Sequence, residues 1–190
     1  IITKSPSDQF ETSVQASLGS FDQSKIRAHT NIPVTDSLAV SASAFYNREE
    51  SYYNGTFNGH ELPPEISKGA RVKAKWAPTD YFDFTAAGFA LKQTGSASFF
   101  VLNSDPSPIL GAAIQPNDSY KGDLSSPVYS DIDNRVLYGQ ANVYLDPFDI
   151  KLLASDQRID VGFGYDYDGS SVDLVGFEAK KQYADVQSME

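Results

Sequence analysis

Cysteine is absent from this 190-residue sequence, and histidine occurs only twice, as His29 and His60. The lack of cysteine excludes a disulfide scaffold, a thiol nucleophile and a cysteine-ligated metal site. Long hydrophobic runs are also absent: mean hydropathy is -0.35, and no apolar stretch approaches the ~20 residues that a membrane-spanning helix needs. These absences exclude helical membrane proteins and most metalloproteins.

Positive charge is scarce as well, with 15 Lys and Arg against 25 Asp and Glu, for a formal net charge of -10. Binding to nucleic acid through phosphates requires an excess of cations, so we expect no nucleic-acid partner. The sequence contains no nucleophile elbow, no His-rich metal motif and no phosphate-binding loop. Its carboxylates are numerous but not paired in sequence, and we expect neither enzymatic activity nor a cofactor.

Alternation of apolar and polar residues dominates what is present, and the high content of Tyr and Phe favours an all-β protein. The pattern is clearest between residues 70 and 91. Its first half alternates two sets, one apolar (Ala70, Val72, Ala74 and Trp76) and one cationic (Arg71, Lys73 and Lys75). Because successive strand residues point to opposite faces, this pattern predicts one apolar and one polar face. Ala77-Pro78-Thr79-Asp80 fits the turn that comes next.

Aromatic residues crowd this turn. Trp76 precedes it, and Tyr81 and Phe82 follow it. Aromatic rings at the end of a strand, beside an apolar row, are typical of a membrane interface. We therefore predict that these three residues lie at such an interface.

The lengths of the connections indicate an arrangement for the whole chain. Alternating runs of ~9–11 residues, the length of a tilted strand that crosses a bilayer, are joined by tight turns at residues 33–36, 77–80 and 146–149. The connections on the other side are longer, apart from a short turn at residues 19–22. Short turns on one rim and long loops on the other predict an antiparallel transmembrane β-barrel segment of about eight strands. A soluble antiparallel sandwich or barrel is the alternative, since its strands also alternate.

Three segments resemble parts of one protein family. Ile1-Ile2-Thr3-Lys4-Ser5-Pro6 is similar to the segment where the plug of TonB-dependent outer-membrane receptors ends and the barrel begins. The segments 31–38 and 75–80 look like the periplasmic turns of that family. The resemblance implies that residues 1–6 end a plug domain and residues 7–190 form the N-terminal portion of the barrel. Barrels of this kind have about 22 strands and a plugged lumen, so we expect the chain to be a piece of a longer polypeptide.

The family resemblance also implies a function. The protein would lie in the outer membrane, surrounded by the lipid bilayer, and would bind a scarce small-molecule solute such as a ferric siderophore, a glycan or another nutrient. Import through the plugged barrel would be energised by TonB acting on the plug. Two alternatives remain open: a small complete outer-membrane barrel that serves as an adhesin or structural protein, and a soluble all-β carbohydrate-binding module.

Candidate substrate-binding residues lie in two places. Tyr52, Tyr53, Phe57 and His60 form an aromatic cluster suited to a flat or sugar-like ligand. Arg71 and Lys73 would face the lumen and attract an anionic substrate; Lys25, Arg27, His29 and Lys75 would share that wall. The competing interpretations are packing between loops for the aromatic residues, and salt bridges to acidic residues of the plug or to Glu11 for the cations.

An acidic segment near the C-terminal end is a weaker candidate. Asp160, Asp166, Asp168 and Asp173 offer oxygen ligands for a hard cation such as Ca²⁺. Their spacing is not that of an EF-hand, and a solvated acidic loop is the preferred interpretation.

Taken alone, this chain is expected to form a curved open sheet or an abnormally closed small barrel, because its first and last strands lack neighbours. A sandwich that buries Val40, Ala42, Val72 and Ala74 would contradict that expectation.

Overall fold

The computed structural model describes residues 5–51, 54–96, 121–167, 169, 171–173 and 175–190. Within them the chain forms β-strands joined by turns and loops. The strands are β1 (Glu11–Leu18), β2 (Ser24–Thr35), β3 (Leu38–Glu49), β4 (Asn54–Phe57), β5 (His60–Glu61), β6 (Glu65–Thr79), β7 (Phe82–Gly95), β8 (Lys121–Leu124), β9 (Tyr129–Leu145), β10 (Phe148–Asp166) and β11 (Gly176–Met189). None of these residues belongs to a helix that could cross a membrane.

Eight strands form one antiparallel sheet in the order β1-β2-β3-β6-β7-β9-β10-β11. The prediction of an all-β fold with about eight antiparallel strands is confirmed. The sheet is open in the described part of the chain, because β1 and β11 are its two edges and do not pair with each other. These strands do not form a sandwich either. Val72 is 55% exposed, and Val40, Ala42 and Ala74 are only partly buried.

Two-residue turns connect the hairpins β2–β3, β6–β7 and β9–β10, at residues 36–37, 80–81 and 146–147. Two of them come later than the sequence pattern predicted. Irregularities at Pro33/Thr35 and Trp76/Thr79 keep the proline-containing segments inside β2 and β6. Proline has no backbone N–H to donate to the hydrogen-bond ladder, so strands tolerate it mainly at such bulges. The sequence prediction took each proline as the start of a turn and therefore placed these two turns too early.

Several strands extend further than predicted at the opposite end of the sheet. β9 begins at Tyr129 rather than near Leu137, and β10 continues to Asp166. The long connections contain further structure. β4 and β5 form a hairpin around Asn58 and Gly59, whose φ angles of 52° and 76° suit this asparagine–glycine turn. β8 pairs with β4 in parallel.

These short strands belong to a cap, which we define as residues 54–64, 121–128 and 165–167 at the long-loop end of the sheet. Leu124 and Val128 are buried there and pack against Leu62 and Tyr165. The Thr56 hydroxyl is hydrogen-bonded to Asp123 across the parallel pair. The cap therefore has a small apolar core of its own.

Asn31 anchors the segment that leads into β1. Its side chain is 3% exposed and donates to the carbonyls of Ser7 (2.9 Å) and Gln9 (2.5 Å). Its Oδ1 accepts from the Ser7 amide at 3.2 Å. Residues 7–9 are thus fixed beside β2. Residues 1–4 lie outside the described part of the chain, and the proposed domain boundary at residue 6 stays a prediction.

Replacing Asn31 by Ala removes these three hydrogen bonds, and we expect the free energy of unfolding to fall by about 1–3 kcal/mol. Hydrogen exchange gives the local test, because the Ser7 amide should lose its protection in Asn31→Ala. Thr30→Ala is the control on the same strand: its exposed hydroxyl contact with Thr12 is expected to matter little. Unchanged exchange at Ser7 would contradict the anchoring role.

Candidate functional site

The two faces of the large sheet have opposite chemistry. One face, here called the apolar face, carries alternate residues that stand directly opposite each other, for example Ala42, Val72, Gly88 and Leu137. The adjacent row on the other face, the polar face, carries Ser41, Lys73, Ala87 and Tyr138.

Burial is the reverse of that in a water-soluble sheet. Val72 and Leu137 are 55% and 64% exposed, whereas Lys73 and Asp83 are 5% and 6% exposed. A single layer buries side chains only on the side toward which it curls. The sheet therefore curls around its polar face and turns its apolar face outward.

The apolar face is divided along the strands into two zones. From the short-turn end up to Ala70, Ala90 and Leu137 the outward residues of β6, β7 and β9 are apolar. On β10 the outward Asp156 stands opposite Leu137 and interrupts this pattern. Beyond this level many outward residues are charged, and we call these the charged zone: Lys68, Lys92, Asp131, Asp133, Arg135, Arg158 and Asp160. Arg135 bonds to Asp133 at 3.0 Å, and Arg158 lies 3.6 Å from Asp160.

Aromatic rings collect at the short-turn end of the apolar zone. Trp76 and Phe82 make an edge-to-face contact with 6.1 Å between ring centroids. Phe84 and Phe148 stand on the same face and are exposed, as is Tyr81 in the turn. Trp76, Tyr81 and Phe82 are thus at one rim of the sheet, and their contact with a membrane interface stays a prediction.

The polar face contains a hydrogen-bonded network near the same rim. The Asp83 carboxylate accepts from the Asn142 amide at 2.7 Å and from the Tyr144 hydroxyl at 2.8 Å. Asn142 in turn accepts from Gln140 at 3.0 Å. Because its charge is compensated by these donors, Asp83 can remain buried.

The predicted substrate-binding residues that the structure describes lie in two separate places. Arg71 and Lys73 do share the polar face, but the guanidinium carbon of Arg71 lies over the Phe89 ring, 5.2 Å from its centroid, and Lys73 is buried. Phe57 and His60 are a cross-strand pair in the small sheet of the cap. Tyr52 and Tyr53 lie outside the described residues.

A pocket of about 420 Å³ opens on the polar face across β1, β2 and β3, and we call it the β1–β3 pocket. Its polar lining includes Gln15, Arg27, His29, Ser43 and Asn47, with Phe45 as the aromatic member. Gln15, Arg27 and Phe45 stand opposite one another in a row. No acidic side chain is among the described residues that line the pocket.

The Phe45 ring lies over Gly69, the residue directly opposite it on β6. A Cβ atom at Gly69 would come within 2.8 Å of the ring's Cε1 and of the Ala90 carbonyl oxygen. Only glycine leaves space for the ring there. The ring forms one wall of the β1–β3 pocket rather than filling it.

Two polar atoms at this pocket have no hydrogen-bond partner in the described structure: Nε2 of His29 and Oδ1 of Asn47. Both are shielded from solvent. An unsatisfied buried polar atom costs about 1–3 kcal/mol of stability. A ligand group that hydrogen-bonds to either atom, once the side chain turns toward the pocket, would offset that cost. The sequence pattern did not identify Asn47 as a candidate site residue, because it resembles the other polar residues near the loops.

A second hollow of about 490 Å³ adjoins the first and shares Asn47 with it. It lies between the ends of the long strands and the cap. Its neutral lining includes Ser67, Gln93 and Tyr165, and its charged lining consists of Lys25, Arg48, Glu49 and Glu65. Together the two spaces form a groove lined mainly by neutral hydrogen-bonding side chains.

Asp166 fastens the cap, and its burial differs from the solvated acidic loop that the sequence predicted. The side chain is 2% exposed, and its Oδ2 accepts from the amides of Ser125 (2.8 Å) and Ser126 (3.0 Å). Its Oδ1 accepts from the Gly169 amide at 2.9 Å. The described residues contain no group of three side chains able to hold a metal ion, and Asp168 is outside them.

Comparison of the chain with protein-family models, with curated proteins and with solved structures found no match in any of the three. Any function assigned to this chain must therefore be argued from the arrangement of its own residues.

Replacing Asp166 by Ala should lower the free energy of unfolding by about 2–3 kcal/mol, because several hydrogen bonds to a buried carboxylate are lost. The amides of Ser125, Ser126 and Gly169 should exchange faster in the variant. Asp156→Ala removes the same charge at an exposed position and is expected to change stability by no more than about 0.5 kcal/mol. Equal effects of the two substitutions would show that Asp166 does not fasten the cap.

Proposed function

We propose that this chain is part of a transmembrane β-barrel of a bacterial outer membrane that imports a small solute. The observation that carries the proposal is the polarity of the sheet: an exposed apolar face on a single layer whose buried face is polar. In water an exposed apolar surface of this extent is unfavourable. Facing lipid it is favourable, and a polar interior is what transmembrane barrels have.

The dimensions of the apolar zone support this proposal. On β9 it extends from Leu137 to Leu145, about 27 Å of strand at ~3.4 Å per residue. Transmembrane barrels expose an apolar band about 25 Å tall, flanked by aromatic residues. Here Trp76, Phe82, Phe84 and Phe148 form the lower flank, and the charged zone begins where the band ends.

The connections give an orientation. In outer-membrane barrels the short turns face the periplasm and the long loops face outward. The turns at residues 36–37, 80–81 and 146–147 would then be periplasmic, and the cap extracellular. A solute arriving from outside would meet the cap first and then the groove beneath it.

The transport role depends on the polar face and on the family resemblance together. Asn31 fixes residues 7–9 beside β2, and Pro6 is buried. Such an entry is compatible with a preceding plug that fills the lumen, as the resemblance to TonB-dependent receptors implies. Substrate import energised by TonB through that plug is the function we propose for the whole protein.

The two alternatives have less support. A small complete barrel would pair β1 with β11, and these two described strands are not paired. A soluble binding module would bury its apolar face, and Val72, Leu137 and Leu152 are more than half exposed. The soluble module also leaves the charged zone above an apolar one unexplained.

The environment required for folding tests the proposal. The purified chain is diluted from urea into plain buffer, into detergent micelles or into phospholipid vesicles, and β-structure is followed by circular dichroism. We expect native structure only with detergent or lipid. A monodisperse, cooperatively folded protein in plain buffer would contradict the membrane assignment.

Val72→Lys sharpens this test, because Val72 lies inside the apolar zone. We expect it to destabilise the protein folded in lipid vesicles by about 1–2 kcal/mol, because Val72 shares a row with Leu137 at the edge of the band and a lysine costs the full ~2–4 kcal/mol only at the bilayer midplane. Urea titration in vesicles measures the change. Ser155→Lys places the same charge on the polar face, one row away, and should cost far less. Comparable stability of the two variants would count against lipid contact at Val72.

A further inference from the structure

We propose that the β1–β3 pocket binds a carboxylate-bearing sugar, that is, a hexuronic acid or the end of an oligosaccharide that carries one. This inference names the substrate class of the groove and rests on the proposed function for its biological role. The binding event itself is independent of membrane location. Charge, shape and hydrogen-bonding capacity of the pocket each support it.

Arg27 supplies the charge that would recognise a carboxylate. It lines the pocket, and none of the described lining residues is acidic. A guanidinium presents parallel N–H donors that match the two oxygens of a carboxylate. Lys25, next along β2 on the same face, lines the adjoining hollow, where the formal charges balance because Arg48, Glu49 and Glu65 line it too. Arg27 is therefore the group that would attract an anion to the β1–β3 pocket itself.

Phe45 and Gly69 supply the shape. The ring lies over Gly69 and also lines the pocket, so it bounds the open space with an aromatic wall on one side. A pyranose ring presents a face of C–H groups, which suits such a wall. The pocket volume of about 420 Å³ is within the ~300–1,000 Å³ range of small-molecule sites.

The remaining lining residues suit hydroxyl groups. Gln15 and Ser43 are neutral hydrogen-bonding residues that line the pocket, and Nε2 of His29 and Oδ1 of Asn47 lack partners in the described structure. The χ2 torsions of His and Asn are broad, so small rotations bring these atoms toward a ligand. The adjoining hollow, which Asn47 shares, continues the groove toward further sugar units.

The test uses the whole protein that contains this chain, folded in detergent micelles, and isothermal titration with two matched sugars. D-galacturonic acid and D-galactose present the same ring hydroxyls and differ in having a carboxylate or a hydroxymethyl group. We expect galacturonate to bind about tenfold or more tightly than galactose, and the difference to shrink as salt screens the charge. Equal affinities, or no heat from either sugar at millimolar concentrations, would overturn the proposal.

Three variants assign the interaction to its residues. Arg27→Gln should remove most of the preference for galacturonate, whereas Lys151→Gln, on the polar face of β10 and outside the pocket, should keep it within about twofold. Asn47→Ala should weaken both sugars alike. Circular dichroism and hydrogen exchange confirm that each variant is folded. An unchanged preference in Arg27→Gln would overturn the assignment of the carboxylate.

Acetate provides a final comparison. If it binds as tightly as galacturonate, the pocket recognises a carboxylate alone and the sugar part of the proposal is wrong. The result is separable from the proposed function: a chain that folds without detergent and still prefers galacturonate loses the membrane role and keeps the binding site.

Discussion

The ladder of backbone hydrogen bonds between neighbouring strands is the interaction on which the rest of the structure depends. In the described part of the chain the large sheet has no second layer to pack against, so lateral pairing and contacts across each face hold it together. The β9–β10 ladder shows no register shift from Phe148–Leu145 to Gly164–Tyr129. A slip by one residue would move every side chain to the opposite face. Register therefore determines which residues face outward and which line the pocket.

The regular pairing in the middle of the sheet also explains where irregularity is tolerated. The bulges of β2–β3 and β6–β7 are confined to the short-turn end, and that of β10–β11 lies near the cap. Between these ends, rows such as Ser41, Lys73, Ala87 and Tyr138 cross several strands without a break. A buried lysine and a buried carboxylate are accommodated because this regular frame brings polar partners to the same side.

Sequence alternation was a good guide to the fold only where one face is apolar. In β6 the alternation of Val72 and Ala74 with Lys73 indicated the correct faces. In the first half of β9 the pattern is inverted, because Asp131 and Asp133 stand on the outward face while Ile132 is on the polar one. Outward apolar residues therefore predicted a strand that begins near Leu137, whereas β9 begins at Tyr129.

The candidate site was less accessible to sequence reasoning than the fold. Arg27 and His29 were assigned to the polar face, but their grouping with Phe45 and Asn47 depends on cross-strand register. The position of the Phe45 ring depends on Gly69 on the next strand of the sheet. Asn31 and Asp166 form hydrogen bonds with residues more than 20 positions away, and no local pattern marks such partners.

The hydrogen bonds that fasten the cap have a consequence for how its segments open. Asp166 holds Ser125 and Ser126, β8 pairs with β4, and Leu62 packs with the buried core of the cap. Three connections that are distant in the chain are thus mechanically coupled. Displacing one of them breaks contacts of the other two, so their opening is cooperative. Local unfolding of the cap is then one event, and the amides of its three segments share one level of protection against hydrogen exchange.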